Sequence, residues 1–364
     1  MKKQKDARHT LTMPFERGNI AINRGENWLF FNATPLEPLE PSGSTENASD
    51  WQSVVTAIQP FRPQFNALQL AGYRAHAASD GIVDASATSF DGALVLAGKS
   101  QSRNRLAVAD AVRLVKAGAP IVVCGDKASG VGGLRKWATG LAEQAGSTVE
   151  ALSKNHAVVF WFPAAPVCGL PQWPSSPQSG GEGEGGLLNA ALWHTAPGTF
   201  SADGPDAGSA LLAAHFSTRM RGKVADLGSG WGYLSAKALV AAPDITSVDL
   251  FEADHHALVA ARENVPDARA QFHWCDVANE APKGPFDWVI MNPPFHDGGH
   301  KGRAAEPRIG RTFIEAAAKC LPSGGRLLMV ANRQLPYEDL LKSRFRKVVP
   351  VEDRGGFKVI EAMR

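Results

Sequence analysis

Lys223-Val224-Ala225-Asp226-Leu227-Gly228-Ser229-Gly230-Trp231-Gly232 is the stretch whose reading decides the fold. Residues 223–227 read as a buried strand. Three glycines at alternating positions then impose a tight turn, because glycine takes strained φ values at little steric cost. A helix is expected from Tyr233 to about Ala241. Strand, glycine turn and helix in that order point to an α/β fold with a parallel sheet. The helix start beyond the turn offers free N–H groups, and the missing Cβ atoms let a ligand approach the backbone.

The glycine spacing narrows the ligand. Dinucleotide-binding turns favour G-x-G-x-x-G. Here the pattern is G-x-G-x-G, and Tyr233 stands where the third dinucleotide glycine belongs. Asp226 places a carboxylate two residues before the first glycine, where it would repel a pyrophosphate. An amino-acid-bearing nucleoside such as S-adenosylmethionine carries an ammonium that benefits from it. A tight turn without a ligand is the alternative.

The next expected strand, Thr246–Phe251, runs into Glu252, 20 residues after Gly232. A carboxylate at the end of the second strand can accept from both hydroxyls of a ribose. Asp249 competes for that role, but it lies within the strand, where exposure or a local ion pair accounts for it. Asp276 follows the expected strand Gln271–Cys275 and could accept from an adenine amine or simply hold a turn.

Asn292-Pro293-Pro294-Phe295 closes the expected strand Phe286–Met291 and is the most specific signal in the chain. The prolines stop the sheet and fix φ, so the carbonyls point in set directions. The Asn292 amide and a proline carbonyl can accept hydrogen bonds from an exocyclic NH₂. Phe295 offers a face for stacking a base, typically worth ~1–3 kcal/mol. This suits methylation of a planar amine, where alignment rather than a strong base carries the chemistry. A proline-rich strand exit beside a core phenylalanine is the alternative.

The remaining chain alternates in the same way. Helix Asp254–Asn264, helix Arg311–Cys320, strand Gly325–Val330, helix Tyr337–Phe345 and strand Phe357–Ala362 are expected after the glycine turn. Before it, strands Ala93–Ala97, Pro120–Cys124 and Ala157–Phe162 alternate with helices Arg103–Lys116 and Gly130–Leu141. Residues 167–186 (VCGLPQWPSSPQSGGEGEGG) have linker composition, and Leu36–Ser49 reads as a surface loop. The expected layout is a first domain at 1–175, a linker at 176–189 and a second domain at 190–364.

Composition sets the outer bounds. At 364 residues, 44% hydrophobic and 20% charged, the chain has the material for two globular domains. Cys124, Cys168, Cys275 and Cys320 are far apart and form no C-x-x-C pair, which argues against a zinc site and a disulfide framework. No metal is expected. The basic start MKKQKDARHTLTMPFERG has no apolar run behind it, and no stretch reaches the ~20 apolar residues of a membrane span. A cytoplasmic location is the expectation. The net charge of +2 hides an asymmetry. Residues 301–364 carry 14 Lys/Arg against 7 Asp/Glu, and residues 201–300 carry 7 against 13. A basic edge beside an acidic pocket suits an RNA substrate.

Several longer stretches narrow the match: PGTFSADGPDAGSALLAAHF (197–216), NPPFHDGG (292–299), VANRQLPYEDLL (330–341) and GGFKVIEAMR (355–364). With the glycine turn, they resemble the bacterial ribosomal RNA guanine-N2 methyltransferases, a class I S-adenosylmethionine-dependent family. The small-subunit (RsmC-like) branch is nearer and the large-subunit branch close behind. GDKASGVGGLRKWA (125–138) resembles the family's N-terminal domain more weakly. The resemblance implies two Rossmann-like methyltransferase-type domains in tandem, the first degenerate and without a cofactor site. It implies that Asp226, Gly228, Gly230 and Gly232 hold the methionine part of S-adenosylmethionine, Glu252 the ribose and Asp276 the adenine amine. Phe200 and Ser201 would close the pocket, and Asn292, Pro293, Pro294 and Phe295 would position guanine. It implies ribosomal RNA or an assembling subunit as partner, no membrane, and a monomer. An adenine-N6 or protein-glutamine methyltransferase and a low-turnover RNA-binding assembly factor remain the rival readings.

Overall fold

Two seven-stranded sheets organise the computed structural model of the protein, which describes residues 7–23, 25–37, 51–79, 90–172, 193–294 and 307–364. The chain divides into two compact units, residues 1–173 and 174–364. Most of the Leu36–Ser49 loop, the whole 176–189 linker and Phe295 lie outside the described residues.

The first unit runs α1 (Ala7–Glu16), β1 (Trp28–Phe31), α2 (Trp51–Val54), β2 (Val55–Ile58), α3 (Arg62–Leu70), β3 (Arg74–His76) and β4 (Gly92–Ala97). It continues with α4 (Gln101–Leu114), β5 (Pro120–Asp126), α5 (Val131–Gln144), β6 (Glu150–Lys154) and β7 (Ala157–Pro163). The second unit runs α6 (Ala207–Ala213), β8 (Gly222–Leu227), α7 (Tyr233–Ala241), β9 (Ile245–Glu252), α8 (His255–Asn264) and β10 (Ala270–Trp274). It continues with β11 (Trp288–Met291), α9 (Pro307–Cys320), β12 (Arg326–Asn332), α10 (Glu338–Arg344), β13 (Lys347–Arg354) and β14 (Phe357–Met363).

Both sheets have the same strand order, β3-β2-β1-β4-β5-β7-β6 and β10-β9-β8-β11-β12-β14-β13. The fold is thus α/β, with one Rossmann-like architecture used twice. Each first strand sits centrally, flanked on one side by the second and on the other by the fourth. That reversal creates a crevice at the carboxyl ends of β8 and β11, where open α/β sheets bind ligands.

The sheets are mixed rather than wholly parallel, which corrects the simple reading from alternating strands and helices. β7 runs antiparallel to β5 and β6, and β14 antiparallel to β12 and β13. The cause is local. Asn155 and His156, at φ 51° and 60°, join β6 to β7, and Gly355 and Gly356, at 61° and 83°, join β13 to β14. Paired positive φ values make two-residue hairpins, and a hairpin forces antiparallel neighbours.

Both faces of each sheet are covered. In the second unit Ala225 and Leu227 of β8 pack with Phe313 and Ile314 of α9, while Val224 packs with Leu234 and Ala238 of α7. Central strands buried on both sides explain the near-continuous apolar runs. Short polar residues fix where the helices begin. Ser100, Asp206 and Asp254 each accept from a main-chain N–H in the first turn of α4, α6 and α8, a cap worth about 1 kcal/mol.

Register aligns the units residue by residue. Phe31 pairs with Ile58 in the first and Leu227 with Phe251 in the second. Asn32 therefore occupies the place of Gly228, and Gln59 that of Glu252. Both Asn32 (φ 52°) and Gly228 (φ 73°) are left-handed, so the turn geometry is shared while the glycine is not.

Candidate functional site

Four neighbouring parallel strands deliver the candidate side chains to one edge of the second sheet. Asp226 lies near the end of β8, Glu252 ends β9, Asp276 follows β10, and Asn292 follows β11. β8 pairs with both β9 and β11, so the glycine turn and the Asn-Pro-Pro segment flank the same crevice. One pocket is lined by Phe200, Ser201, Asp206, Ser209, Gly228, Ser229, Gly230, Trp231 and Asn292, among others.

The three turn glycines all have positive φ, at 73°, 56° and 88° for Gly228, Gly230 and Gly232. Their surroundings differ. A Cβ on Gly232 would lie 2.8 Å from Val265 Cγ2, and one on Gly228 would lie 3.2 Å from Phe313 Cε1. A Cβ on Gly230 would meet nothing within 4 Å. Gly232 and Gly228 thus serve close packing, and Gly230 keeps the pocket floor clear.

Asp226 is fully buried. Its Oδ2 accepts from the Ser235 hydroxyl at 2.7 Å, while Oδ1 and the nearby Ser229 Oγ are buried without a protein partner. Burial pushes the Asp226 carboxyl up to about 7, with the Ser235 hydrogen bond opposing it and the Glu252 charge adding to it. Such orphaned polar atoms are costly unless something satisfies them, and they fit a polar, cationic ligand at this turn.

Glu252 accepts from the N–H of Gly230 at Oε2 and from that of Asp254 at Oε1, both at 2.8 Å. Burial raises its carboxyl to about 7 against those bonds. Asp249 is engaged elsewhere, 2.7 Å from His273 Nε2. Asp276 is buried, and its two oxygens accept from Ala278 N and Asn279 Nδ2 within its own turn.

Phe200 and Ser201 are tied to the glycine turn by Trp231, whose indole N–H is shared between their carbonyls at 3.2 and 3.3 Å. Ser201 is held at φ 52°, and Phe200 is 58% exposed at the pocket. Trp231 packs in turn on Trp193 and Tyr233, with ring centroids 5.2 and 5.7 Å away. Asn264 donates to the carbonyls of Trp231 and His194 at 2.7 and 2.8 Å, which staples the segment before α6 to the turn.

Asn292 projects its Nδ2 toward α6, 2.9 Å from both Asp206 Oδ2 and Ser209 Oγ. Pro293 is buried and Pro294 exposed. Trp231, Ser235, Asp206 and Ser209 escaped the sequence reading. Asp206 and Ser209 sit in a quoted stretch, but their role is visible only once α6 packs beside β11. No cluster of three or more His, Cys, Asp or Glu that could hold a metal occurs among the described residues, and no described helix is long and apolar enough to cross a membrane.

Residues 191–361 match the family model of the methyltransferase small domain. The match spans the glycine turn, Glu252, Asp276 and Asn292. A ribosomal RNA small subunit methyltransferase C from Sodalis glossinidius is 39% identical over 180 residues, 48% of this chain and 49% of that protein. Its counterpart from Escherichia coli O7:K1 is 37% identical over 171 residues, 46% and 48% of the two chains. The chain spans about half the length of these curated relatives. A solved structure of the T. thermophilus 16S rRNA N2 methyltransferase RsmC, in complex with AdoMet and guanosine, aligns with a TM-score of 0.74 at 24% identity. It covers 98% of this chain and 91% of that one. The resemblance to the RsmC family thus lies in the small-domain sequence, and the likeness of fold extends over both units.

Proposed function

We propose that the protein transfers a methyl group from S-adenosylmethionine to the exocyclic amine of a guanine in ribosomal RNA, the small subunit favoured. The observation that carries this reading is one pocket at the β8/β11 crevice, lined by both the glycine turn and Asn292. The small-subunit ribosomal RNA methyltransferases among the relatives support the choice of subunit, and the N2 specificity of the T. thermophilus enzyme supports the choice of guanine N2.

Bound at the turn, S-adenosylmethionine supplies a methyl group on a sulfonium. Asp226 and the main chain of Gly228, Gly230 and Gly232 hold its amino-acid part, Glu252 the ribose and Asp276 the adenine amine. Phe200 and Ser201 cover it. The Asn292 Oδ1 and the Pro293 carbonyl accept hydrogen bonds from the two N–H groups of the target amine, and the one proton released on methylation would pass to water. Accepting those bonds draws the nitrogen lone pair out of the ring and toward the methyl donor. Pro294 holds the strand exit rigid, and Phe295 stacks on the base. No strong base is required, because alignment and desolvation supply most of the rate.

In this reading residues 1–175 are a cofactor-free copy that helps shape the RNA-binding surface or supports the catalytic domain, 176–189 are a linker, and 190–364 carry the chemistry. The substrate is ribosomal RNA or an assembling subunit, and the enzyme works as a cytoplasmic monomer. The test is incubation with labelled cofactor and separated ribosomal RNAs and subunits, followed by nucleoside mass spectrometry. N2-methylguanosine in small-subunit RNA is the expected product. Methyladenosine or methylated protein would replace the reading, and binding without transfer would favour an assembly factor.

A further inference from the structure

We infer that Asp206 sets the orientation of the Asn292 amide, acting as a positioning residue for the end of β11 that holds the target amine. The inference rests on the methyl-transfer reading. An asparagine amide has a donor end and an acceptor end of nearly the same shape, and its neighbours choose which faces where. Asp206 Oδ2 accepts from Ser209 N at 3.0 Å as the cap of α6, and the same oxygen accepts from Asn292 Nδ2 at 2.9 Å. An ionised carboxylate can only accept, so Nδ2 is held against α6. Oδ1 is therefore the end turned away from the carboxylate. The opposite flip would bring two oxygens together at hydrogen-bond distance and cost a charge-assisted bond.

Two further features point the same way. Ser209 Oγ lies 2.9 Å from the same Nδ2, so both protons of the amide have acceptors on α6. Gly208 makes room for the carboxylate, since a Cβ there would lie 3.0 Å from Asp206 Oδ2 and 2.9 Å from the Phe357 ring. Asp206, Gly208 and Ser209 together form a cradle for one amide end. A cap alone would need neither the glycine nor a hydroxyl aimed at β11.

The test separates capping from positioning. Asp206→Ser keeps a good helix cap but is too short to reach Asn292. Asp206→Asn keeps both the cap and an acceptor at the same reach. Single-turnover methyl transfer to unmodified small-subunit ribosomal RNA is measured with cofactor Kd and Tm. Asp206→Ser should lower the transfer rate at least about tenfold with cofactor Kd within about twofold, and Asp206→Asn should restore most of it. Ser209→Ala, which leaves the cap intact, should give an intermediate loss. In an Asn292→Ala background, Asp206→Ser should add nothing further. A wild-type rate for Asp206→Ser, a loss confined to cofactor affinity, or a loss that persists in the Asn292→Ala background overturns the positioning role. If the unsubstituted protein transfers no methyl group, the methyl-transfer reading fails instead; if Asn292→Ala leaves transfer unchanged, Asn292 does not hold the amine and the positioning role of Asp206 falls with it. Should Asp206→Ser not fold, Ser209→Ala carries the comparison alone, and its wild-type rate overturns the inference.

Discussion

The main-chain N–H of Gly230 donates to Oε2 of Glu252 over 2.8 Å. With Oε1 taken by the N–H of Asp254 at the same distance, the acid is clamped between the glycine turn and the start of α8. Both oxygens act as acceptors, and an amide offers only one. Glu252→Gln should therefore set an N–H against an N–H and loosen the turn. The expected result is a rise of about tenfold or more in the Kd for S-adenosylmethionine, the loss of one bond to a charged group at about 1.5–3 kcal/mol. RNA affinity should stay within about twofold. Titration calorimetry checks both numbers, and an unchanged cofactor Kd removes Glu252 from the site.

The two acids at the ends of β8 and β9 carry a pH signature. Asp226 and Glu252 are each raised to about 7, chiefly by burial, whereas in the unfolded chain they return to about 4. Between about pH 4 and 7 the folded protein thus binds more protons than the unfolded one. Ligand-free stability should fall as pH rises through that window and level off above it. Cofactor binding has the opposite sign, because an ammonium and ribose hydroxyls need the ionised carboxylates. The Tm increase produced by S-adenosylmethionine should grow as pH rises through about 7. Thermal scans from about pH 5.5 to 8.5 check this, and a pH-independent increase counts against both carboxylates as ligands.

Ser235 holds the one bonded oxygen of Asp226 at 2.7 Å. Ser235→Ala takes the hydroxyl away from a fully buried carboxyl and leaves it only the weaker interaction with the main chain of residue 235. Stability should drop by about 1–3 kcal/mol, read from urea unfolding. The lost bond also favoured the charged form, so the pH at which cofactor binding is half-developed should move upward. A shift downward would contradict the assigned role of the hydroxyl.

The positions of the candidate site residues were far more legible in the sequence than the framework. Glycines, acids and the Asn-Pro-Pro exit are punctuation, and their residue types are constrained one position at a time. They lie where the alternating pattern put them, at the carboxyl ends of β8, β9, β10 and β11. The hidden parts were those whose pattern is weak. β1 is four buried residues and β2 another four, too short to show a period. β13 has a largely exposed burial pattern, so no apolar run marks it, and its hairpin with β14 was not foreseen. Asp206 and Trp231 were unreadable for another reason. Their partners, Asn292 and the Phe200–Ser201 carbonyls, are distant in sequence, and only tertiary packing unites them.

Gly230 and Gly232 separate ligand binding from folding. Gly232→Ala meets Val265 at 2.8 Å in a left-handed conformation, so it should destabilise the fold by about 2–4 kcal/mol, strain and overpacking together. Gly230→Ala meets open space and should cost about 1–2 kcal/mol from its positive φ alone. Its methyl would stand at the pocket, so cofactor Kd should rise about tenfold or more, beyond what the stability loss explains. Denaturant unfolding and calorimetry on the two variants check the contrast. Equal effects on both readouts would mean that the turn is only structural.

Gln59 fills in the first unit the position that Glu252 holds in the second. It is 6% exposed, and both ends of its amide are used within the fold. Nε2 donates to the Ala33 carbonyl at 2.7 Å, and Oε1 accepts from Phe61 N at 2.9 Å. The i+2 bond to Phe61 repeats the bond from Glu252 to Asp254, but the other end now ties down the backbone after β1. Phe30 stands where Asp226 stands, since it pairs with Ala57 and Leu94 as Asp226 pairs with Leu250 and Ile290. At these matched positions the first unit therefore has Phe30 in place of the carboxylate and Asn32 in place of the glycine. Calorimetry on the full chain should give one S-adenosylmethionine per chain, and a stoichiometry of two would show that the first unit kept a site. Gln59→Glu should not create one. It replaces the donor facing the Ala33 carbonyl with an acceptor, and should cost about 1–3 kcal/mol of stability while leaving cofactor stoichiometry at one.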